Sequence, residues 1–170
     1  MALGAPLQST LDKAQTKIEI LGTSTLHDWE MESTDYYTNG TVSFNGTEIV
    51  SNGYKIYFPA KKLVSGKETM DEYAQEALKA DKYNNIEFAL NNVTGSGSNA
   101  KANGILKIAG HAENVSIPVS VTNVGNKAVV KGKTKINLPK YTVEPPSVMF
   151  GTIVCGDDVD VEFQFAFNLK

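Results

Sequence analysis

Along most of this chain apolar and polar residues alternate, the period-two pattern of a strand with one face buried. Ile18 and Ile20 share a face in a first strand over 17–26. Trp29, Met31, Tyr36 and Tyr37 follow in a second extended segment, and Val42 and Phe44 mark a third over 41–44. Tyr54, Ile56 and Phe58 alternate with Lys55 and Tyr57 until Pro59 ends the run. Further on, Ile86, Phe88 and Leu90 share a face, as do Leu106 and Ile108, and then Val115, Ile117, Val119 and Val121. Pro118 points outward there and marks an edge, because it has no amide to give to a ladder. Lys131, Lys133 and Lys135 alternate with smaller or apolar residues, which turns their ammoniums to solvent. The last strand has the cleanest pattern, with Val159, Val161, Phe163, Phe165 and Phe167 inward and Asp160, Glu162 and Gln164 outward. Asn39-Gly40, Asn45-Gly46 and Asn52-Gly53 are tight-turn signals, and 95–99 is a hairpin loop.

One stretch changes period. Met70, Tyr73, Ala74, Ala77 and Leu78 fall at i, i+3, i+4, i+7 and i+8, one apolar stripe on a short helix near residues 67–81. Ser65-Gly66-Lys67-Glu68 and Thr69-Met70-Asp71-Glu72 both fit a capping box at its start, and Lys79 and Lys82 suit its C-terminal dipole. The stripe serves either as a plug for one end of the fold or as a lid. Residues 1–16 show no sustained period and read as a loose leader before a single domain over 17–170, and 139–146 reads as irregular. At least eight strands with turn signals every ten or so residues predict an all-β antiparallel barrel or sandwich. A barrel of about eight strands has an interior just wide enough for side chains or one slender ligand.

Composition narrows the function. The net charge is −3, and all sixteen basic residues are lysine. Without arginine the chain has no planar fork for base edges or phosphates, which argues against nucleic-acid binding. Cys155 is alone, so no disulfide framework or cysteine-based metal site is expected. No stretch approaches the roughly 20 apolar residues of a membrane-spanning helix. The first residues show no charged n-region and no long apolar run, so no signal peptide is visible.

Candidate chemistry concentrates in 22–29, which holds the only tryptophan, Trp29, with His27, Asp28, Ser24 and Thr25. A hydrolase relay needs serine, histidine and acid in mutual reach, whereas strand neighbours such as His27 and Asp28 point to opposite faces. No nucleophile elbow is present. His27 and His111 without a spaced carboxylate motif make a weak metal signal, and nothing basic adjoins Cys155. Neither catalytic nor metal-ligating residues nor a cofactor are therefore assigned. The inward faces read equally as a filled core or as the lining of a tunnel, because both give the same alternation.

Four further pieces run in a recognisable order: residues 22–29; Met70 to Phe88; Gly104-Ile105-Leu106-Lys107-Ile108-Ala109-Gly110 before a valine-rich strand; and Pro145-Pro146-Ser147-Val148-Met149-Phe150-Gly151 before Asp-Asp-Val-Asp-Val-Glu-Phe. In these the chain resembles the YceI-like family over nearly its whole length after residue 17. Two places depart from the family pattern. Tyr83-Asn84-Asn85 stands where Tyr-Pro is common, and Met70-Asp71 stands where an Arg-Asp pair is common, which removes the basis for a head-group contact there. The resemblance implies a lipocalin-like antiparallel barrel, export to the periplasm or beyond, and an interior that holds a polyisoprenoid, an isoprenoid quinone or a fatty-acyl or amide chain. On that reading Ile20, Phe44, Ile56, Phe58, Phe88, Ile108, Phe163 and Phe165 line the slot, with Trp29, Met70 and Tyr73 near its mouth. The expected partner is a long-chain apolar lipid, with no nucleic acid and no membrane span; a second copy of the chain is also admitted as a partner. The competing expectation is a solid-core structural or interaction module.

Overall fold

The computed structural model describes residues 7–148 and 151–170. Its strands are β1 (Leu7–Leu11), β2 (Lys17–Gly22), β3 (Trp29–Ser33), β4 (Tyr37–Asn45), β5 (Glu48–Pro59), β6 (Leu63–Val64), β7 (Asn85–Thr94), β8 (Ala100–Ile108), β9 (His111–Val124), β10 (Lys127–Asn137), β11 (Ser147–Val148), β12 (Ile153–Val154) and β13 (Asp158–Leu169). The helix α1 spans Glu68–Ala77 between β6 and β7.

Antiparallel pairing runs β1-β4-β5-β7-β8-β9-β10-β13 and returns from β13 to β1, so eight strands close into a barrel. The closing strand, β13, carries two partners along one edge. Its start pairs with β2 through Asp160↔Leu21 to Gln164↔Lys17, and its end pairs with β1 through Ser9↔Leu169 to Leu11↔Phe167. Between them the turn after β1 fills the gap: the Asp12 amide donates to the Ala166 carbonyl at 2.8 Å and the Ala166 amide to Thr16 Oγ1 at 3.1 Å. β3 and β6 extend the β2 side as a short flap.

Residues 7–16 are thus ordered and close the ring, in contrast to the loose leader expected. Five residues with leucines only at the ends are too few to show alternation, and their burial is partial. Met149 and Phe150, within the last family-like piece, lie outside the described residues.

Pro118 faces solvent as expected, yet β9 is not an edge strand, since β8 and β10 flank it. Its pairing with β10 stops at Val119↔Gly132, and Pro118 is the first residue past that end. The missing amide therefore falls where the ladder has already stopped. Beyond this point β9 and β10 part. The segment after β10, a 3₁₀ turn over Leu138–Tyr141 and the residues to 146, packs where they separate. Tyr141 and Val143 of this irregular stretch are buried against Leu106 and Ile108 of β8.

The helix forms where its stripe predicts, but neither capping box does. Lys67 is the N-cap and makes no side-chain bond. Instead Asp71 Oδ1 accepts from the Ser65 amide at 2.8 Å and the Ser65 hydroxyl at 2.7 Å, tying the first turn back to the preceding loop. Lys79 and Lys82 fall after the helix ends, and Lys79 takes a left-handed conformation with φ 52°. No residue of α1 is fully buried: Ala77 at its end packs against the cluster around Leu106, Ile108 and Tyr141, while Met70, Tyr73 and Ala74 face the cavity.

Candidate functional site

The inward faces of the barrel enclose a cavity of about 640 Å³ with almost wholly apolar walls. Alternate residues of the strands line it: Tyr54, Ile56 and Phe58 from β5, with Ile49 beyond a break in that alternation, Ile86, Phe88 and Leu90 from β7, and Val159 through Phe167 at odd positions from β13. Ile49 and Phe58 are nine residues apart on β5. At about 3.3 Å per residue and a strand tilt of about 40°, the slot is roughly 23 Å deep. Volume over depth gives the section of one slender chain.

The two ends differ. At one end Phe44, Val121, Ala128 and Ala100 are at most 2 % exposed and close the interior beneath the lining residues. Phe44 packs on Phe167 with ring centroids 5.2 Å apart, and Tyr54 lies 6.4 Å from the same ring. Burial pushes the Tyr54 hydroxyl up to about 12, opposed by a hydrogen bond with Thr38, so it stays a neutral phenol. At the other end polar residues reach the wall: His27, Lys67, Glu68 and Thr69 border it there beside Trp29 and Met70. Leu26, 66 % exposed, and Tyr73, 40 % exposed, stand at the same rim.

The rim loop over 22–29 is internally satisfied. Ser24 Oγ accepts from the Leu26 and His27 amides and donates to the His27 carbonyl at 2.6 Å, which folds the loop on itself. The Thr25 amide donates to the Val154 carbonyl at 3.0 Å and the Val154 amide to Thr25 Oγ1 at 3.1 Å, latching the loop to β12. His27 Nδ1 lies 2.7 Å from the Asp28 carbonyl. A carbonyl only accepts, so Nδ1 carries the proton and Nε2 is the acceptor of the neutral ring. His27 and Asp28 lie in the loop before β3 and not on a strand as expected, and Asp28 lines an outer cleft that Trp29 also borders, not the cavity. The Ser24 hydroxyl is fully engaged, and burial raises the Cys155 thiol, which keeps it protonated. No relay is assembled from these groups. His111 opens β9, with Nε2 3.0 Å from Glu113 Oε2. Among the described residues no three His, Cys, Asp or Glu side chains gather as a metal would need.

Of the residues expected at the slot, Ile20, Ile56, Phe58, Phe88, Ile108, Phe163 and Phe165 lie on its wall, as do Trp29, Met70 and Tyr73. Phe44 does not. It is 1 % exposed and belongs to the floor, because β4 carries it to the closed end, opposite Ile49 and against Phe167. Ile18, Ile86 and Val161 share faces with the expected residues and could have been found by the same alternation. Leu138, Val143, Ile153 and Cys155 also line the cavity, from segments whose sequence has no period to reveal it.

A family model, the YceI-like domain, matches residues 10–167. Among curated proteins none matches the chain. Three solved structures share its fold. BcnA of Burkholderia cenocepacia is 18% identical, with a TM-score of 0.78 over 92% of this chain and 99% of that one. A polyisoprenoid binding domain from Saccharophagus degradans is 10% identical, with a TM-score of 0.72 over 98% and 100%. A YceI protein of Campylobacter jejuni is 18% identical, with a TM-score of 0.66 over 81% and 82%.

Proposed function

Since this chain belongs to the YceI-like family, we propose that its barrel binds a long apolar lipid and carries or stores it without chemical change. The observation that bears this reading is the cavity itself, about 640 Å³, deep, narrow and apolar. A solid-core module would have filled that space with side chains. A water's share of liquid volume is about 30 Å³, and a methylene is of similar size, so the slot takes roughly 20 such units. Burying even ten methylenes at about 0.8 kcal/mol each supplies about 8 kcal/mol before association costs. A polyisoprenoid or fatty chain needs no polar partner along its length, which suits these walls. The polar rim at His27, Lys67 and Thr69 suits a tail-first pose with the head outside. The Saccharophagus neighbour, named as a polyisoprenoid binding domain, supports the isoprenoid class. No helix among the described residues is long and apolar enough to cross a membrane. Export to the periplasm or beyond is part of the proposal and rests on the family.

Native mass spectrometry of the purified protein, followed by organic extraction, tests the reading. An added mass that extracts as a long-chain lipid is the expected result. A bare mass that persists after incubation with polyprenyl and fatty-acyl compounds overturns it.

A further inference from the structure

The cavity is closed below and open above, and this asymmetry has a consequence for ligand choice. We infer that the floor is a chain-length ruler, with Phe44 and Ala102 as the residues that set the longest tail accepted. The inference rests on the lipid-binding reading and adds to it which lengths fit.

The lining stops at one level around the barrel. Val42 on β4, Ile49 on β5, Ala102 on β8 and Phe167 on β13 are the deepest wall residues of their strands. Directly beyond them the side chains are packed without space: Phe44 at 1 % exposure, Ala128 at 0 %. The Phe44 ring is wedged against Phe167; it is the next inward residue past Val42 on β4 and sits beside its strand partner Ile49. Removing the ring opens room beneath the slot, on the axis along which a tail would continue. Ala102 sits on the other side of the same boundary. It pairs with Val93 and Ile117 and leaves its methyl on the cavity wall, where a larger side chain would occupy the bottom of the slot. A tail-first ligand with its head held at the polar rim can meet this floor only with its terminal carbons. Length, and no other property of the tail, is what the floor reads.

The test uses the full chain, delipidated and offered an equimolar ladder of straight-chain primary alcohols running to both sides of about 20 carbons. Native mass spectrometry reads the mass of each alcohol retained and so the cut-off length. Ala102 packs at the edge of the main core cluster with its methyl on the cavity wall, so the ring of Ala102→Phe has the slot to enter, and Ala102→Leu serves if the ring prevents folding. Filling the slot bottom with a ring should lower the cut-off by about six carbons, the size of the ring, because packed interiors exclude atom for atom. Phe44→Ala should raise the cut-off. If it fails to fold, the Ala102→Phe result decides alone. An unchanged cut-off in folded Ala102→Phe overturns the ruler while leaving lipid binding in place. Failure of the parent protein to retain any alcohol overturns the lipid-binding reading and the ruler with it.

Discussion

The Trp29 indole lies where a Cβ at Gly22 would stand, so the two residues, paired across β2 and β3, are a fitted unit. The ring is pinned by its Nε1–H, which donates to the Thr23 carbonyl at 3.0 Å. Gly22→Ala is expected to cost about 1–3 kcal/mol, as overpacking does, and to shift the emission of the only tryptophan. Chemical denaturation followed by fluorescence checks both, and unchanged stability with unchanged emission would refute the fit. Asp12 makes a second sharp expectation. Lys127 Nζ lies 2.6 Å from Asp12 Oδ2, and this hydrogen bond, with the Ala14 and Gln15 amides, holds the carboxyl below its ordinary value of 3.8. A carboxyl depressed by folding adds stability above its unfolded value, and that stability is lost as pH falls through the folded one. The parent should therefore be more stable than Asp12→Asn at neutral pH, and the gap should close below pH 3.8. Thermal midpoints of the two proteins along an acid series provide the measurement, and a gap that persists at the acid end contradicts the pair.

Among the elements, α1 stands apart. Its stripe of Met70, Tyr73, Ala74, Ala77 and Leu78 faces the cavity, with Ala77 and Leu78 also packing against the second core cluster. Gly66, φ 85°, precedes it and Lys79, φ 52°, follows it, so both flanking segments bend sharply. An element with few buried contacts opens at low cost. Its amides should exchange with deuterium faster than those of β13, which is paired along both edges, and should slow when a lipid fills the slot. Equal protection of α1 and β13 in the lipid-free protein would count against this. The periodicity told where the helix lies but not what lies beneath it. A stripe facing a void and a stripe facing a core are written with the same residues. The start of α1 departs from its capping-box signals for a related reason: the bond between Ser65 and Asp71 joins a loop to the helix's first turn, and no helical spacing describes it.

For the molecule as a whole, alternation is enough to foresee an all-β fold, and β13 reads almost residue by residue. β5 does not: Asn39-Gly40 and Asn52-Gly53 carry turn signals yet lie within β4 and β5, at the irregularity in their pairing where Gly40 and Gly53 both take positive φ. Closure was not legible. It depends on Leu7–Leu11, whose two pairings with β4, Leu7↔Phe44 and Gln8↔Ser43, leave too little pattern to notice. The site was legible in its walls and illegible in its ends. Phe44 has the same face as a wall residue, and only its depth along β4, a three-dimensional fact, makes it floor. The position of β13 carries a further meaning for how the protein is made. It follows β1, β2 and β10 in the chain, and all three attach to it. Until it leaves the ribosome, those three strands have open edges and the ring cannot close. Pairing between strands so distant in sequence is also slow to form. A nascent chain of this topology stays an unsealed sheet until β13 is made, however many strands precede it.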